Sequence, residues 1–121
     1  MHELSIALSI LDIAAEEAER RGVGVSVIHL RLGPLSGVVS AALLSAFEMA
    51  REESPFPEAR LAIEQMPVQV YCQPCQAERQ PVSMQQLCCP VCGQPTPDVR
   101  GGRELEITAL EVIDGIADPV G

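Results

Sequence analysis

Residues 72–93 carry the sequence CQPCQAERQPVSMQQLCCPVCG, in which two Cys-x-x-Cys turns stand thirteen residues apart. Cys72 and Cys75 form the first turn, and Cys89 and Cys92 form the second. Two such turns at this separation can bring four thiolates around one tetrahedral ion, the arrangement that a structural Zn²⁺ prefers. Because a closed four-thiolate site leaves no position for a substrate, the motif predicts a metal that holds a small module together and does no catalysis.

The identity of the metal and the role of a fifth cysteine stay open at this point. Rubredoxin-like iron sites also use paired Cys-x-x-Cys turns, but those modules pack aromatic residues around the metal, and only Tyr71 stands near these cysteines in the sequence. Zinc is therefore preferred. Cys88 does not have the spacing to Cys92 that a metal knuckle needs. We favour a bystander thiol, and the alternatives are ligand exchange with Cys89 and redox sensing.

The composition around the four cysteines predicts that this part of the chain folds around its metal. All eight glutamines and all five cysteines lie in residues 65–94, and six of the ten prolines lie in residues 67–97. Such a stretch buries too little apolar surface to fold unaided, and a metal supplies the missing free energy. Four unrelated buried thiols are therefore a poor alternative. We expect a zinc-binding module at residues 69–98, inserted into a domain formed by residues 1–68 and 99–121.

The flanking sequence alternates between helix and strand. Apolar residues recur at helical spacing in the first segment, at Leu4, Leu8, Leu11, Ala15 and Ala18, and Gly22 is a plausible C-cap. The predicted helices are residues 4–21 and 40–53, and the predicted strands are Val25–Leu32, Arg60–Val70 and Glu104–Ile113. This order indicates an α+β fold with two helices on one face of a three-stranded sheet. The inserted four-cysteine zinc module would hang from the connection between the last two strands.

The overall composition excludes several classes of protein. The chain carries 17 acidic residues, eight arginines and no lysine, for a formal net charge of −9, whereas a nucleic-acid-binding protein normally presents a basic face to phosphates. No apolar run is long enough to span a bilayer, and Met1 is followed by His2 and Glu3 instead of a basic segment. We expect a soluble, cytoplasmic protein with no nucleic-acid or membrane partner. In that reducing compartment its five cysteines favour metal binding over disulfides.

The first three residues offer a second set of metal donors. The α-amine of Met1, the amide nitrogen of His2 and the His2 imidazole form two fused chelate rings, and nitrogen donors in a planar array suit Ni²⁺ or Cu²⁺. The carboxylate of Glu3 offers a further oxygen. On this pattern alone, an ordinary histidine after the initiator remains the simpler interpretation. The only other histidine, His29, falls on the non-core face of a predicted strand and is expected to be a surface or interface residue.

Four short motifs, in order, resemble the HypA/HybF family of hydrogenase maturation factors. They are residues 1–5 (MHELS), 32–38 (LGPLSGV), 46–48 (AFE) and 89–93 (CPVCG). The resemblance covers nearly the whole chain, and the order and separation of the motifs are more specific than any motif alone. The sequence departs from the usual pattern at Cys88, and at Gln76, where many family members have glycine.

The resemblance implies a nickel metallochaperone and not an enzyme. Family members deliver Ni²⁺ to the large subunit of [NiFe]-hydrogenase together with a GTPase partner, and in some bacteria they also serve urease maturation. The implied nickel site is Met1, His2 and Glu3. The implied ligands of the structural zinc are the four cysteines of the two turns, Cys72, Cys75, Cys89 and Cys92.

Three other functions compete with this interpretation. The first is a zinc-stapled adaptor that docks a protein partner through its acidic surface and delivers no metal. The second is an oxidoreductase that uses the cysteine pairs as dithiols, which metal-ligated thiolates would prevent. A hydrolase is the weakest, because the chain has no nucleophile motif and no glycine-rich phosphate loop. The sequence leaves monomer and homodimer open, since the edge of a three-stranded sheet can pair with a second copy.

Overall fold

The computed structural model describes residues 2–113, which form two small sheets and two helices. The helices are α1 (Glu3–Arg21) and α2 (Ser40–Ala50), and short 3-10 turns occupy Pro34–Ser36 and Arg51–Glu53. The strands are β1 (Gly24–Leu32), β2 (Arg60–Gln65), β3 (Gln69–Cys72), β4 (Ala77–Arg79), β5 (Asp98–Gly101) and β6 (Leu105–Ile113). The predicted α+β class, with two helices, a three-stranded sheet and an inserted four-cysteine module, is confirmed. Within the described residues, no helix is both long and apolar enough to cross a membrane.

The larger sheet has the strand order β2-β1-β6, with β1 parallel to β2 and antiparallel to β6. Both helices pack on it through one hydrophobic core, in which Ile28, Leu30, Leu43 and Phe47 are almost fully buried. Helix α1 ends at Gly22, whose φ of 67° is the left-handed conformation that glycine adopts without strain.

The predicted strand over Arg60–Val70 is wrong, because the chain leaves the sheet between β2 and β3. Pro67 has no backbone N–H to donate to a sheet ladder, so a strand is interrupted at this position. The N–H of Met66 donates to the Leu32 carbonyl at 2.9 Å and ends the pairing with β1. The predicted helix over residues 40–53 is likewise shorter, with its last three residues in the 3-10 turn.

The cysteine module has a sheet of its own, with the strand order β4-β3-β5 and all pairs antiparallel. Gln69 at the start of β3 lies opposite Gly101 at the end of β5. The two ends of the module therefore meet. The small sheet reaches Gly101, beyond the predicted end of the module at residue 98, because Asp98–Gly101 pairs with β3. Folding of the module as a separate unit stays a prediction.

The module joins the main domain at a close contact between two glycines. A Cβ on Gly33 would overlap the carbonyl group of Gly102, so no larger residue fits at this point without movement. The Gly33 N–H donates to the Glu104 carbonyl at 2.8 Å, and the Leu35 N–H donates to the Gly102 carbonyl at 2.6 Å. The Glu104 carboxylate also accepts the Gly102 N–H at 2.9 Å. These bonds hold the loop after β1 against the connection between β5 and β6.

Candidate metal centres

The four cysteines of the two Cys-x-x-Cys turns meet at one point of the module. Their sulfur atoms all lie within 4.8 Å of one another. The Cys72 and Cys92 sulfurs are 3.5 Å apart, and those of Cys75 and Cys89 are 3.9 Å apart. Four thiolates bound at about 2.3 Å from a tetrahedral zinc ion lie about 3.8 Å from one another. The donor set and its spacing therefore fit one four-coordinate ion, and all four are free thiols, not disulfides.

Local backbone geometry explains how the second turn presents its first sulfur. The N–H groups of Val91 and Cys92 point at the Cys89 sulfur, with nitrogen–sulfur distances of 3.4 and 3.5 Å. The hydrogen bond from the Cys92 N–H is the largest of the effects that together lower the pKa of Cys89 to about 6. Gly93 follows with a φ of 78° and lets the chain turn back sharply. The turn thus favours a thiolate at Cys89.

In the first turn, burial raises a cysteine pKa, whereas hydrogen bonds lower the pKa of Cys89 in the second. Removal from water raises the pKa of the Cys72 thiol to about 12. A coordinating thiol loses its proton, so metal binding at these sulfurs would release the proton of Cys72. The arrangement supplies four donors and no open coordination position, which suits a structural ion.

Two residues beside the cluster depart from a simple paired-knuckle pattern. Gln76 follows the first turn in the same way that Gly93 follows the second. Its φ of 53° is a left-handed conformation, which is unfavourable for a residue with a Cβ. Cys88 is not part of the four-sulfur group found in the described residues. Its N–H donates to the Gln86 carbonyl at 2.9 Å, and it forms an isolated bridge with Pro95.

The first residues of the chain lie at the start of α1. His2 precedes the helix, its side chain is exposed, and its carbonyl accepts the Ile6 N–H at 3.2 Å. The Glu3 carboxylate accepts the Val39 N–H at 3.4 Å, which ties the start of α1 to the start of α2. Met1 lies outside the described residues. The Met1, His2 and Glu3 site therefore stays a prediction.

His29 lies on the face of the larger sheet that the helices do not cover. Its Nε2 is 2.7 Å from the Glu111 carboxylate across the β1–β6 pair, and its side chain is partly exposed. This pairing agrees with a surface histidine.

The sequence motifs did not identify one residue of the module, Arg79. Arg79, on β4, donates from Nη1 to the Glu78 carbonyl at 3.4 Å, and its pKa is raised by Cys89 first and then by Cys75. The spacing of the cysteines says nothing about it, because its placement depends on the pairing of β4 with β3. Periodicity cannot reveal a three-residue strand such as β4.

The fold and the sulfur cluster together define a class: a small α+β protein with an inserted four-cysteine metal-binding module. Three comparisons with known proteins narrow this class. Residues 1–112 match the family model described as "Hydrogenase/urease nickel incorporation, metallochaperone, hypA". The chain therefore belongs to the HypA family of nickel-incorporation metallochaperones and hydrogenase maturation factors, as its motifs predicted.

Individual relatives and solved structures agree with this assignment. A hydrogenase maturation factor HypA of Roseiflexus sp. (strain RS-1) is 46% identical over 115 residues, covering 94% of each chain. One from Chloroflexus aurantiacus is 46% identical over 112 residues, covering 92% of this chain and 98% of the relative. The solution structure of the Ni metallochaperone HypA from Helicobacter pylori superposes with a TM-score of 0.65 at 26% identity, covering 93% of this chain and 98% of that one.

Proposed function

We propose that this protein binds Ni²⁺ at its N-terminus and delivers it during maturation of [NiFe]-hydrogenase, while Zn²⁺ at the four cysteines holds the module together. The proposal rests on the match to a nickel-incorporation family over residues 1–112, which begins at the donor-rich first residues of the chain. The exposure of His2 supports it, because a cargo site has to be reachable by the protein that receives the metal.

The proposed nickel donors are the α-amine of Met1, the amide nitrogen and imidazole of His2, and the carboxylate of Glu3. The His2 amide precedes α1, where N–H groups have no acceptor within the helix, so its deprotonation breaks no helical hydrogen bond. The positive end of the helix dipole opposes a cation at this place. A site made of few donors in an unfavourable field is suited to releasing its metal to a partner that offers thiolates.

The proposal assigns chemistry to partners that the chain does not contain. The sequence has no glycine-rich phosphate loop, so a hydrogenase-maturation GTPase would supply nucleotide hydrolysis. The large subunit of [NiFe]-hydrogenase would receive the metal, and urease maturation proteins are the second candidate recipients, since the family description names both systems. Five free thiols in the described residues agree with work in the cytoplasm.

The alternative is a zinc-stapled adaptor that binds a protein partner and carries no nickel. An open groove between α1 and α2 favours it, because Leu4, Leu8 and Met49 line the groove and are exposed, and Asp12 and Glu53 also line it. Such a groove fits a partner with an apolar segment flanked by basic residues. A metallochaperone also needs a docking surface, so only a nickel measurement separates the two functions.

The test is a Ni²⁺ titration of untagged protein beginning at Met1, by calorimetry and visible absorption, alongside His2→Ala and His29→Ala. His29 is the matched control because it is the other histidine and lies on the exposed face of the sheet. We expect about one Ni²⁺ with a planar absorption band in the wild type and in His29→Ala, and loss of the band in His2→Ala with zinc retained. Equal titrations for wild type and His2→Ala would reject the N-terminal chelate and favour the adaptor.

Two further conditions sharpen the same titration. Residues added before Met1 remove the free amine, and we expect them to abolish the planar band. Amine, amide and imidazole must all be deprotonated to bind, so nickel affinity should fall as the pH is lowered. A flat pH response, or an unchanged band in the extended protein, contradicts the proposed donor set.

A further inference from the structure

Strand β6 is an open edge of the larger sheet. Among residues 2–113, it pairs with β1 along one side and with no strand along the other. Proteins usually keep edge strands short or cover them, because a free row of N–H and C=O groups can pair with another chain. With nine residues and no proline, β6 is longer than the usual strand of about five to six residues. The sheet can therefore accept a fourth strand along this edge.

An apolar groove, called the β6 groove below, lies between this open edge and α1. Four side chains of β6 lie opposite core residues of β1 and so share the face on which α1 packs: Leu105, Ile107, Leu110 and Val112. Leu105 and Val112 are nevertheless 40% and 43% exposed, and Ile13 of α1 is 55% exposed. Helix α1 therefore leaves this apolar face of β6 partly uncovered.

The β6 groove has two adjoining parts, both of which Ile107 lines. One has a volume of about 530 Å³ and lies between residues 5–13 and 105–107. The other has a volume of about 220 Å³ and lies between residues 17–21 and 107–112. Since a cavity of about 150 Å³ accepts a benzene-sized group, both parts have room for aliphatic side chains. Together they follow β6 along most of its length, as the alternate side chains of one added strand would.

The other face of β6 is acidic. Glu106 and Glu111 are exposed there, where Glu106 lies opposite Arg31 and Glu111 lies 2.7 Å from His29. Glu106 forms no ion pair within residues 2–113. A strand added beside β6 places a residue next to each glutamate, and opposite charges across a strand pair are stabilising. Lys or Arg is therefore favoured at these positions of the added strand.

The same two charges disfavour two other occupants of this edge. A second copy could pair its β6 antiparallel to this one with residues 105–112 reversed against themselves, which keeps the two apolar faces together. That register sets Glu106 opposite Glu111 twice, and like charges directly opposite each other are destabilising. Residues 114–121 of the chain itself carry two aspartates and no basic residue, so their charge does not match either.

We propose that the β6 groove binds an extended segment of another protein, which adds to the larger sheet as a fourth strand. The backbone of the segment pairs with the open edge of β6, and its aliphatic side chains fill the groove beside α1. Its Lys or Arg side chains lie beside Glu106 and Glu111. None of the residues proposed to bind nickel or zinc belongs to this surface, so the inference goes beyond the proposed function and its test is independent of it.

The experiment measures fluorescence anisotropy of labelled peptides, each as long as β6, with the full-length protein. The probe alternates valine with lysine, and its control alternates valine with glutamate. We expect wild type to bind the lysine probe about tenfold more tightly than the glutamate peptide, and E106K/E111K to reverse that preference. E64K is the matched control, because Glu64 is also exposed but lies on β2 at the opposite edge. It should keep the wild-type preference.

Hydrogen exchange locates the bound peptide. The lysine probe should slow amide exchange in β6 and leave β2 unchanged. A peptide of the same composition with its lysines clustered should give no such protection, since it cannot present one aliphatic and one basic face.

Self-association tests the exclusion of a second copy. In E106K the self-pairing register brings opposite charges together twice, so the dimer fraction in sedimentation velocity should rise above that of wild type. E106K/E111K restores like charges and should return to the wild-type value.

Several results would overturn the proposal. Equal affinity of wild type for the lysine and glutamate peptides would do so, and so would equal loss of lysine-probe binding in E64K. Protection of β2 instead of β6 would place the peptide at the wrong edge. A wild-type dimer with protected β6 amides would assign the edge to a second copy. Failure of nickel or zinc binding in any of these proteins would count against the proposed function alone.

Discussion

The main domain and the cysteine module are stabilised in different ways. The main domain buries a contiguous apolar core between two helices and the larger sheet, and no residue of the module belongs to that core. Inside residues 69–98, the buried residues are Val70, Cys72, Cys89 and Thr96, two of which belong to the sulfur cluster. The comparison indicates that apolar burial holds the main domain, and it predicts that the module depends on bonds to a metal ion.

The largest expected effect follows from removing the metal. We expect a strong chelator under reducing conditions to unfold the module and leave the main domain folded, because apparent zinc-binding free energies in small zinc-finger peptides reach about 10–16 kcal/mol at neutral pH. Hydrogen exchange should then rise in β3 and β5 and stay slow in β1. Simultaneous loss of protection in all three strands would show a single folding unit and contradict the predicted domain division.

The second largest effect is expected from a core substitution that destabilises the main domain and leaves zinc binding unchanged. Phe47→Ala should destabilise that domain by about 3–5 kcal/mol, because Phe47 is 1% exposed and its removal leaves a cavity in the core. Met49, two residues along the same helix, is 69% exposed, so Met49→Ala should change stability by about 0.5 kcal/mol or less. Denaturant unfolding measures both variants, and bound zinc per chain should be unchanged in native buffer. Zinc loss in Phe47→Ala would mean that the module needs the core of its host.

The smallest effect compares the two cysteine turns with each other. Gln76→Gly should tighten zinc binding about two- to fivefold, because it relieves a left-handed conformation that is unfavourable for a residue with a Cβ. Gly93→Ala should weaken it by a similar factor, and strain alone would be the cause, since a Cβ there meets nothing within 4 Å. Competition with a chelator of known affinity gives both numbers. Shifts of the same sign would contradict this account.

Sequence periodicity predicted the span of α1 better than it predicted which face of that helix is buried. Helix α1 begins and ends within a residue of the predicted span, yet Leu4 and Leu8 from the apolar repeat are exposed. The buried stripe is Ala7, Ile10, Leu11, Ala14 and Ala18. Small residues let α1 approach its neighbours closely. The spacing of the leucines does not show that the alanine-rich face is the buried one.

The cysteine spacing was more informative than the strand patterns. Two Cys-x-x-Cys turns predicted four sulfurs at one point, because each turn fixes its pair locally and a short connection brings the pairs together. The predicted strand over Arg60–Val70 was wrong because it continued past Pro67, whereas the hydrogen bonding to β1 ends at Met66. The small sheet, and with it Arg79, depends on pairings of three to four residues that no single stretch encodes.

The close contact between Gly33 and Gly102 affects which insertions and deletions the chain tolerates. The module leaves the host domain after Val68 and returns at Gly102, and Val68 contacts Gly102. An insertion whose ends coincide adds little loop-closure entropy to its host, however many residues it contains. The module is therefore free to lengthen, shorten or diverge at its far end without altering the host topology. Gly33 and Gly102 are the positions that cannot vary, because their contact fixes where the module joins the host domain.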